Sequence, residues 1–422
     1  MDSAIYQAYT QILHRELVPA MGCTEPIAVA YAAAVAAREL GQLPEKVEIT
    51  VSANIIKNVK SVIVPNTGGL HGLEAAAAAG ILAGDPDKKL LVISQVTDAQ
   101  KAQIKAYLQE ALFCVKESPS EALFDIVIRL ERSGHSSLCR ISGGHTNIVK
   151  VVRDREILLE KTVELSQPEV HSDLDLLNIE SIVEYADCVV IADVEQPLSQ
   201  QIRCNMAIAQ EGLDRDYGAR VGQVLLGSRE HDTITRAKAY AAAASDARMG
   251  GCELPVVINS GSGNQGITAS VPVVIYARDM GATDEQLYRA LVVSNLVTLH
   301  LKSGIGPLSA YCGAISAGCG AAAGITYLQG GKFREVAHTV VNAIAINSGV
   351  ICDGAKASCA AKIASAVEAG ILGMEMFRRG SQFVDGDGIV SKGVENTIRN
   401  ICQLASEGMR HTDAEIIKIM LS

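Results

Sequence analysis

The chain has 422 residues, 48% of them hydrophobic, so it can bury a large core and has room for two or three domains. Its formal net charge is −10, its aromatic content is 4% and it has no Trp. Without a basic face or stacking platforms, it is not expected to bind nucleic acid.

Residues 2 to about 40 read as helical. The start at Met1 lacks a basic segment, an apolar core and a small-residue cleavage site, so no secretory signal is expected. With eleven cysteines and no such signal, a cytoplasmic protein with reduced thiols is expected, not a disulfide framework. Thr24-Glu25-Pro26 suits a helix start, since Pro fits the first turn and Glu the positive dipole end. Gly41 is a plausible C-cap.

From about 45 to 196 the pattern is α/β. Val47 to Val51 alternates as a half-buried strand does. Further strands are expected at Val59 to Val64, Leu90 to Ser94, Phe124 to Leu130, Asn147 to Val152, Ile157 to Glu160 and Val189 to Ala192. Helices are expected near 71–83, 98–112 and 174–186. From 197 onward helices dominate, with one strand at Pro255 to Asn259 and glycine-rich breaks between. The fold class is therefore α+β. A mainly helical catalytic domain (1–44 and 197–422) would carry an inserted α/β domain (45–196).

No charged residue lies between Lys302 and Lys332. That run is long enough to span a bilayer, but Gly, Ala, Ser and Cys dominate it. With Gly320 and Gly324 in a GxxxG pair, it reads as a tightly packed buried helix, and no membrane association is expected.

Three loops are candidates for binding a small anion through backbone N–H groups. The first is Ser260, Gly261, Ser262, Gly263, Asn264, Gln265 and Gly266; it has neither P-loop nor dinucleotide spacing. Weaker loops of the same kind contain Asn66 and Thr67, and His145. A purely structural turn is the alternative for each. Cys23 precedes a helix start, where a dipole lowers a thiol pKa and makes thiolate available; its bland reading is a small residue in a turn.

Cys312, Cys352 and Cys359 lie in Gly- and Ala-rich contexts. Soft thiolates select iron–sulfur clusters or zinc, and three ligands leave one position open for Lewis-acid work. No CxxC pair occurs, which argues against a zinc ribbon or finger. Spacing alone favours the reading of buried packing cysteines.

Longer segments alter that balance. Met21 to Pro26, Gly144 to Val149, Ala243 to Gly251, Ser260 to Gly266, Leu308 to Cys312 and Ile351 to Ala355 together resemble the L-cysteine desulfidase family. The C-terminal half also resembles, more distantly, the α portion of the iron–sulfur L-serine dehydratases. The resemblance implies a lyase that cleaves L-cysteine to pyruvate, ammonia and sulfide with a [4Fe–4S] cluster and no pyridoxal phosphate. It implies Cys312, Cys352 and Cys359 as cluster ligands and Cys23 as a proton-transferring residue. Cys319 matches no ligand position, and Cys402 is a weak candidate for a fourth. A wider spacing of the last two ligands in the serine dehydratases leaves cysteine and serine both open as substrates. A small amino-acid substrate and a homo-oligomer, a dimer, are expected.

Two rivals stand beside this. A pyridoxal-phosphate β-eliminase could use Lys57, Lys302 or Lys356 as its Schiff-base lysine. A non-catalytic iron–sulfur sensor would need a partner-binding face, and none is visible. His14, His171, His231, His338 and His411 read as surface or structural, and Cys114, Cys139, Cys188, Cys204 and Cys252 as core.

Overall fold

The computed structural model describes residues 1–120, 122–161, 173–227, 232–306 and 309–421. Leu308, His171 and His231 lie outside the described residues. The first segment holds α1 (Ser3–Glu16), the short strand β1 (Pro19–Met21) and α2 (Thr24–Leu40). Gly41 closes α2 in the left-handed conformation, at φ 70°.

A six-stranded sheet follows, built from β2 (Lys46–Val51), β3 (Leu112–Glu117), β4 (Asp125–Arg132), β5 (His135–Ser142), β6 (Ile148–Arg153) and β7 (Glu156–Glu160). Its order is β3-β2-β4-β5-β6-β7, with β2 parallel to β3 and the other pairs antiparallel. The parallel pair is joined across α3 (Ala53–Val59), α4 (Gly72–Ala83) and α5 (Asp98–Glu110). Alternation places Val47, Ile49, Val51, Ile126, Ile128 and Leu130 on one buried face. The Ala-rich α2 packs on β4 and β5, with α4 against it.

Residues beyond 173 form a helical assembly with α6 (Ile179–Cys188), α7 (Glu195–Asp214), α8 (Val221–Gly227), α9 (Thr233–Met249), α10 (Gly263–Met280) and α11 (Asp284–Ile305). It continues through α12 (Gly313–Leu328), α13 (Phe333–Ile346), α14 (Cys359–Arg378), α15 (Val394–Gln403) and α16 (Arg410–Leu421). The mainly helical α+β class is therefore as expected.

Helix α12 runs through the centre, against α10, α11, α13 and α14. A Cβ on Gly320 would sit 2.1 Å from Thr298 Oγ1 and 2.5 Å from the Ser294 carbonyl, and one on Gly318 2.6 Å from the Ala366 carbonyl. The Gly313–Leu328 part of the uncharged run is thus a close-packed core helix. Among the described residues, no helix is long and apolar enough to cross a membrane.

Three expected strands are otherwise. Val59 ends α3 and the chain then turns; Leu90 to Ser94 leaves a 3₁₀ helix (Pro86–Leu91) for turns; Val189 to Ala192 leads into a 3₁₀ turn (Ile191–Asp193). Short apolar runs lack the length to separate a strand from a buried turn. Cys188 is exposed and Cys114 half-buried, so neither is a core residue.

Candidate functional site

Two long-range pairings build the site. Strand β1 pairs antiparallel with β8 (Pro255–Val257), matching Ala20 to Val256, which brings Cys23 beside the loop at 260. The Thr24 hydroxyl, 2.9 Å from the Gly261 carbonyl, fastens this contact. The second pairing is an antiparallel bridge between Tyr311 and Ile351. The Cys312 N–H donates to the Val350 carbonyl at 3.0 Å and the Cys352 N–H to the Ala310 carbonyl at 2.5 Å. Cys312 and Cys352 are thereby set side by side from distant parts of the chain.

One cavity is lined by Cys23, Cys312, Cys352 and Cys359 together. Cys23 packs with Val62 and Met249 against Ala355 and Cys359, its sulfur 3.9 Å from Met249 Sδ. The N-termini of α2, α10, α12 and α14 all reach this cavity. Cys23 is the N-cap of α2, Ser262 of α10, Cys312 of α12 and Ser358 of α14, and none of them caps through its side chain. The unsatisfied N–H groups and positive dipole ends therefore face one space, which favours anions there.

Cationic side chains add to that field. Lys57, Arg248, Lys302 and Lys362 line the cavity, and among the described residues Glu25 is the one carboxylate lining it. Lys57 pairs with Asp413 at 2.6 Å, Lys362 with Asp353 at 2.6 Å, and the Arg248 Nε donates to the Gly22 carbonyl at 2.9 Å. Burial pulls the Lys302 ammonium down to about 8, and it donates to the Gly306 carbonyl.

Burial favours the protonated thiol at Cys23, Cys312 and Cys359. Burial pushes Cys23 up to about 12, outweighing the nearby Arg248 charge. Burial opposes the thiolate expected at this helix start. Cys312 is also pushed up to about 12, by burial first and then by its neighbour Cys352; burial raises Cys359 as well.

The expected substrate loop is partly helical, since α10 begins at Gly263. Ser262, Asn264 and Gln265 line the cavity. Gly263 lets Arg248 approach, because a Cβ there would lie 2.4 Å from its Nε. Ser260, at φ 49°, bonds Asn259 Oδ1 at 2.9 Å. Gly261 meets His145: a Cβ on it would fall 3.0 Å from the His145 Cε1. The His145 Nε2 is buried without a partner, and burial lowers the imidazole pKa. Asn66 and Thr67 are buried beneath the site and are not among the lining residues. Asn66 donates to the Ile93 carbonyl at 2.8 Å and Thr67 to the Val64 carbonyl at 2.7 Å. Their loop supports Gly22, where a Cβ would collide with Pro65.

Cys319 is buried within α12, and the Cys402 thiol donates to the Leu301 carbonyl at 3.7 Å; neither is among the lining residues, although Cys402 lies near Lys302. Lys356, the remaining lysine of the pyridoxal rival, is paired with Asp353. Sequence offers Gln265 within the anion-binding loop, Lys57 and Lys302 only as Schiff-base lysines, and Glu25 and Arg248 only as parts of longer motifs; Lys362 carries no signal of its own.

Among the described residues, no three His, Cys, Asp or Glu side chains could hold a single metal ion. A [4Fe–4S] cluster makes a different demand, with its thiolates on separate irons. Three soft donors around one cavity, with helix N-termini and lysines to offset negative charge, fit such a group.

Residues 87–418 match the family described as "Serine dehydratase alpha chain". The chain is 57% identical to a UPF0597 protein of Desulfitobacterium hafniense over 99% of this chain and 97% of that one. It is 46% identical to a UPF0597 protein of Lachnoclostridium phytofermentans over 99% and 100%, and 43% identical to one of Treponema denticola over 100% and 99%. The matched family is associated with iron–sulfur clusters and lyase-type dehydratase chemistry. With most of its length inside that match, the chain belongs to the serine dehydratase alpha-chain family.

Proposed function

We propose that this protein is a cytoplasmic, homodimeric iron–sulfur lyase that eliminates sulfide from L-cysteine, yielding pyruvate and ammonia. The observation that carries the reading is the single cavity shared by Cys312, Cys352, Cys359 and Cys23 beneath four helix N-termini. Cys312, Cys352 and Cys359 would hold the cluster. When bound, it supplies a Lewis acid that polarises the β-substituent of the substrate.

The rest falls to the chain. The first-turn N–H groups of α10, at Asn264 and Gln265, take the substrate carboxylate. Lys302 and Lys362 add positive charge around it. The apolar packing of Cys23 with Val62 and Met249 excludes water from one wall. Cys23 would move protons at Sγ: its thiol gives a proton to the departing sulfur, which leaves as hydrogen sulfide, and the thiolate so formed takes the α-hydrogen and returns Cys23 to a thiol. Atoms balance when cysteine loses its α-hydrogen and β-sulfur to give aminoacrylate and hydrogen sulfide. Water then converts the tautomerised enamine to pyruvate and ammonia.

The family description favours a second substrate, L-serine, by the same elimination with water leaving. Anaerobic reconstitution with iron and sulfide, then pyruvate release from each amino acid, decides between them. A higher kcat/KM for L-cysteine, with sulfide equimolar to pyruvate, supports the proposal. Turnover of L-serine alone would replace it, and turnover of neither would refute both.

A further inference from the structure

We propose that Glu25 anchors the α-ammonium group of the substrate, with Gln265 Oε1 as its uncharged partner, so that the cavity selects α-amino acids over acids lacking the amine. This rests on the amino-acid lyase reading and names the contact that would make the substrate an amino acid.

The cavity's charge balance motivates it. Its lining cations are already engaged: Lys57 with Asp413, Lys362 with Asp353, Lys302 with the Gly306 carbonyl and Arg248 with the Gly22 carbonyl. The lining carboxylate is not engaged in that way. Among the described residues Glu25 meets only neutral donors: the Asn58 amide donates to Oε1 at 3.1 Å, and the Thr24 hydroxyl, 3.1 Å from Oε2, shares its single proton with the Gly261 carbonyl. Among the described residues it forms no ion pair. A carboxylate has about four acceptor positions, so two stay open after these bonds. Asn58 and Thr24 fix its direction without neutralising it.

A second, independent acceptor lies in the same cavity. Gln265 is 6% exposed and lines the space, and its Oε1 is buried with no partner. Such an atom is costly to leave unpaired, so a donor is expected to complete it. Asn264 Oδ1 is likewise buried and unpartnered. The Thr24–Gly261 bond holds the Glu25 turn against the loop that leads into α10. An ammonium between these acceptors would leave the adjoining carboxylate at the N–H groups of α10. Both charged ends of an α-amino acid are thereby recognised side by side. The rival role for Glu25 is structural: an acidic residue in a first helical turn offsets the dipole.

The test compares L-alanine with propionate, which differ by the α-ammonium group and carry no leaving group. Their Kd values are measured by calorimetry on the anaerobic reconstituted holoenzyme. The wild type should prefer L-alanine, and Glu25→Gln should cut that preference by about tenfold to a hundredfold while propionate binds as before. Gln265→Leu should lower the same ratio, which secures the test should Glu25→Gln fold poorly. If both variants keep the wild-type ratio, the anchor is wrong, whatever they do to melting temperature. A Glu25-dependent preference in a protein that releases nothing from L-cysteine or L-serine would keep the anchor and sink the lyase reading. Turnover with an unchanged ratio would do the reverse.

Discussion

At the scale of single residues, the four cavity thiols divide into two roles that separate variants can distinguish. Cys312→Ser, Cys352→Ser and Cys359→Ser should each abolish bound iron and turnover together, whereas the exposed Cys188→Ser should change neither. Iron and acid-labile sulfide assayed on the anaerobic proteins check this. Cys23→Ala should retain most of the iron but lose turnover by roughly 10²–10⁴, the effect of removing a proton-transfer group. Loss of the cluster in that variant would make Cys23 a ligand instead. His145 gives a pH prediction. Burial lowers its pKa, so the folded state favours neutral imidazole. The stability tied to that preference is complete above the unfolded value of about 6.5 and is lost as pH falls through the lower folded value. His145→Gln should therefore show a smaller drop in melting temperature than wild type between about pH 7 and pH 5; parallel curves would contradict the assignment.

At the scale of elements, the site is assembled from helix starts, and α12 fixes one of them. Gly320→Ala would force a Cβ against Thr298 and the Ser294 carbonyl. Overpacking of this kind costs about 1–3 kcal/mol. Thermal unfolding should show the loss, with iron binding weakened because Cys312 caps the same helix. Helices α2, α4, α5 and α6 and strands β2, β4, β6 and β7 were legible through their apolar patterns, whereas α3 (Ala53–Val59) and β3 (Leu112–Glu117) were not expected. Strand β5, His135–Ser142, was missed: Ser136, Ser137 and Arg140 blur its apolar alternation. Strand β1 has only three residues, too few to show a period. The thiols and the 260 loop were legible through their motifs. The convergence of Glu25, Lys57, Lys302 and Lys362 on one cavity was not, because charges arriving from separate elements leave no local pattern in the chain.

At the scale of the whole molecule, two pairings far apart in sequence close one space. The β1–β8 ribbon delivers Cys23 and Glu25, and the Tyr311–Ile351 bridge delivers Cys312 and Cys352. The central claim is that this space holds a cluster on three thiolates with one iron left for substrate. Mössbauer spectroscopy of the anaerobically reconstituted protein, with and without substrate, tests it most directly. The account predicts about four irons per chain, one of them spectroscopically distinct and shifted when L-cysteine or an unreactive analogue binds. Four irons indifferent to every such ligand, or a protein that takes up no iron with its thiols reduced, would contradict it.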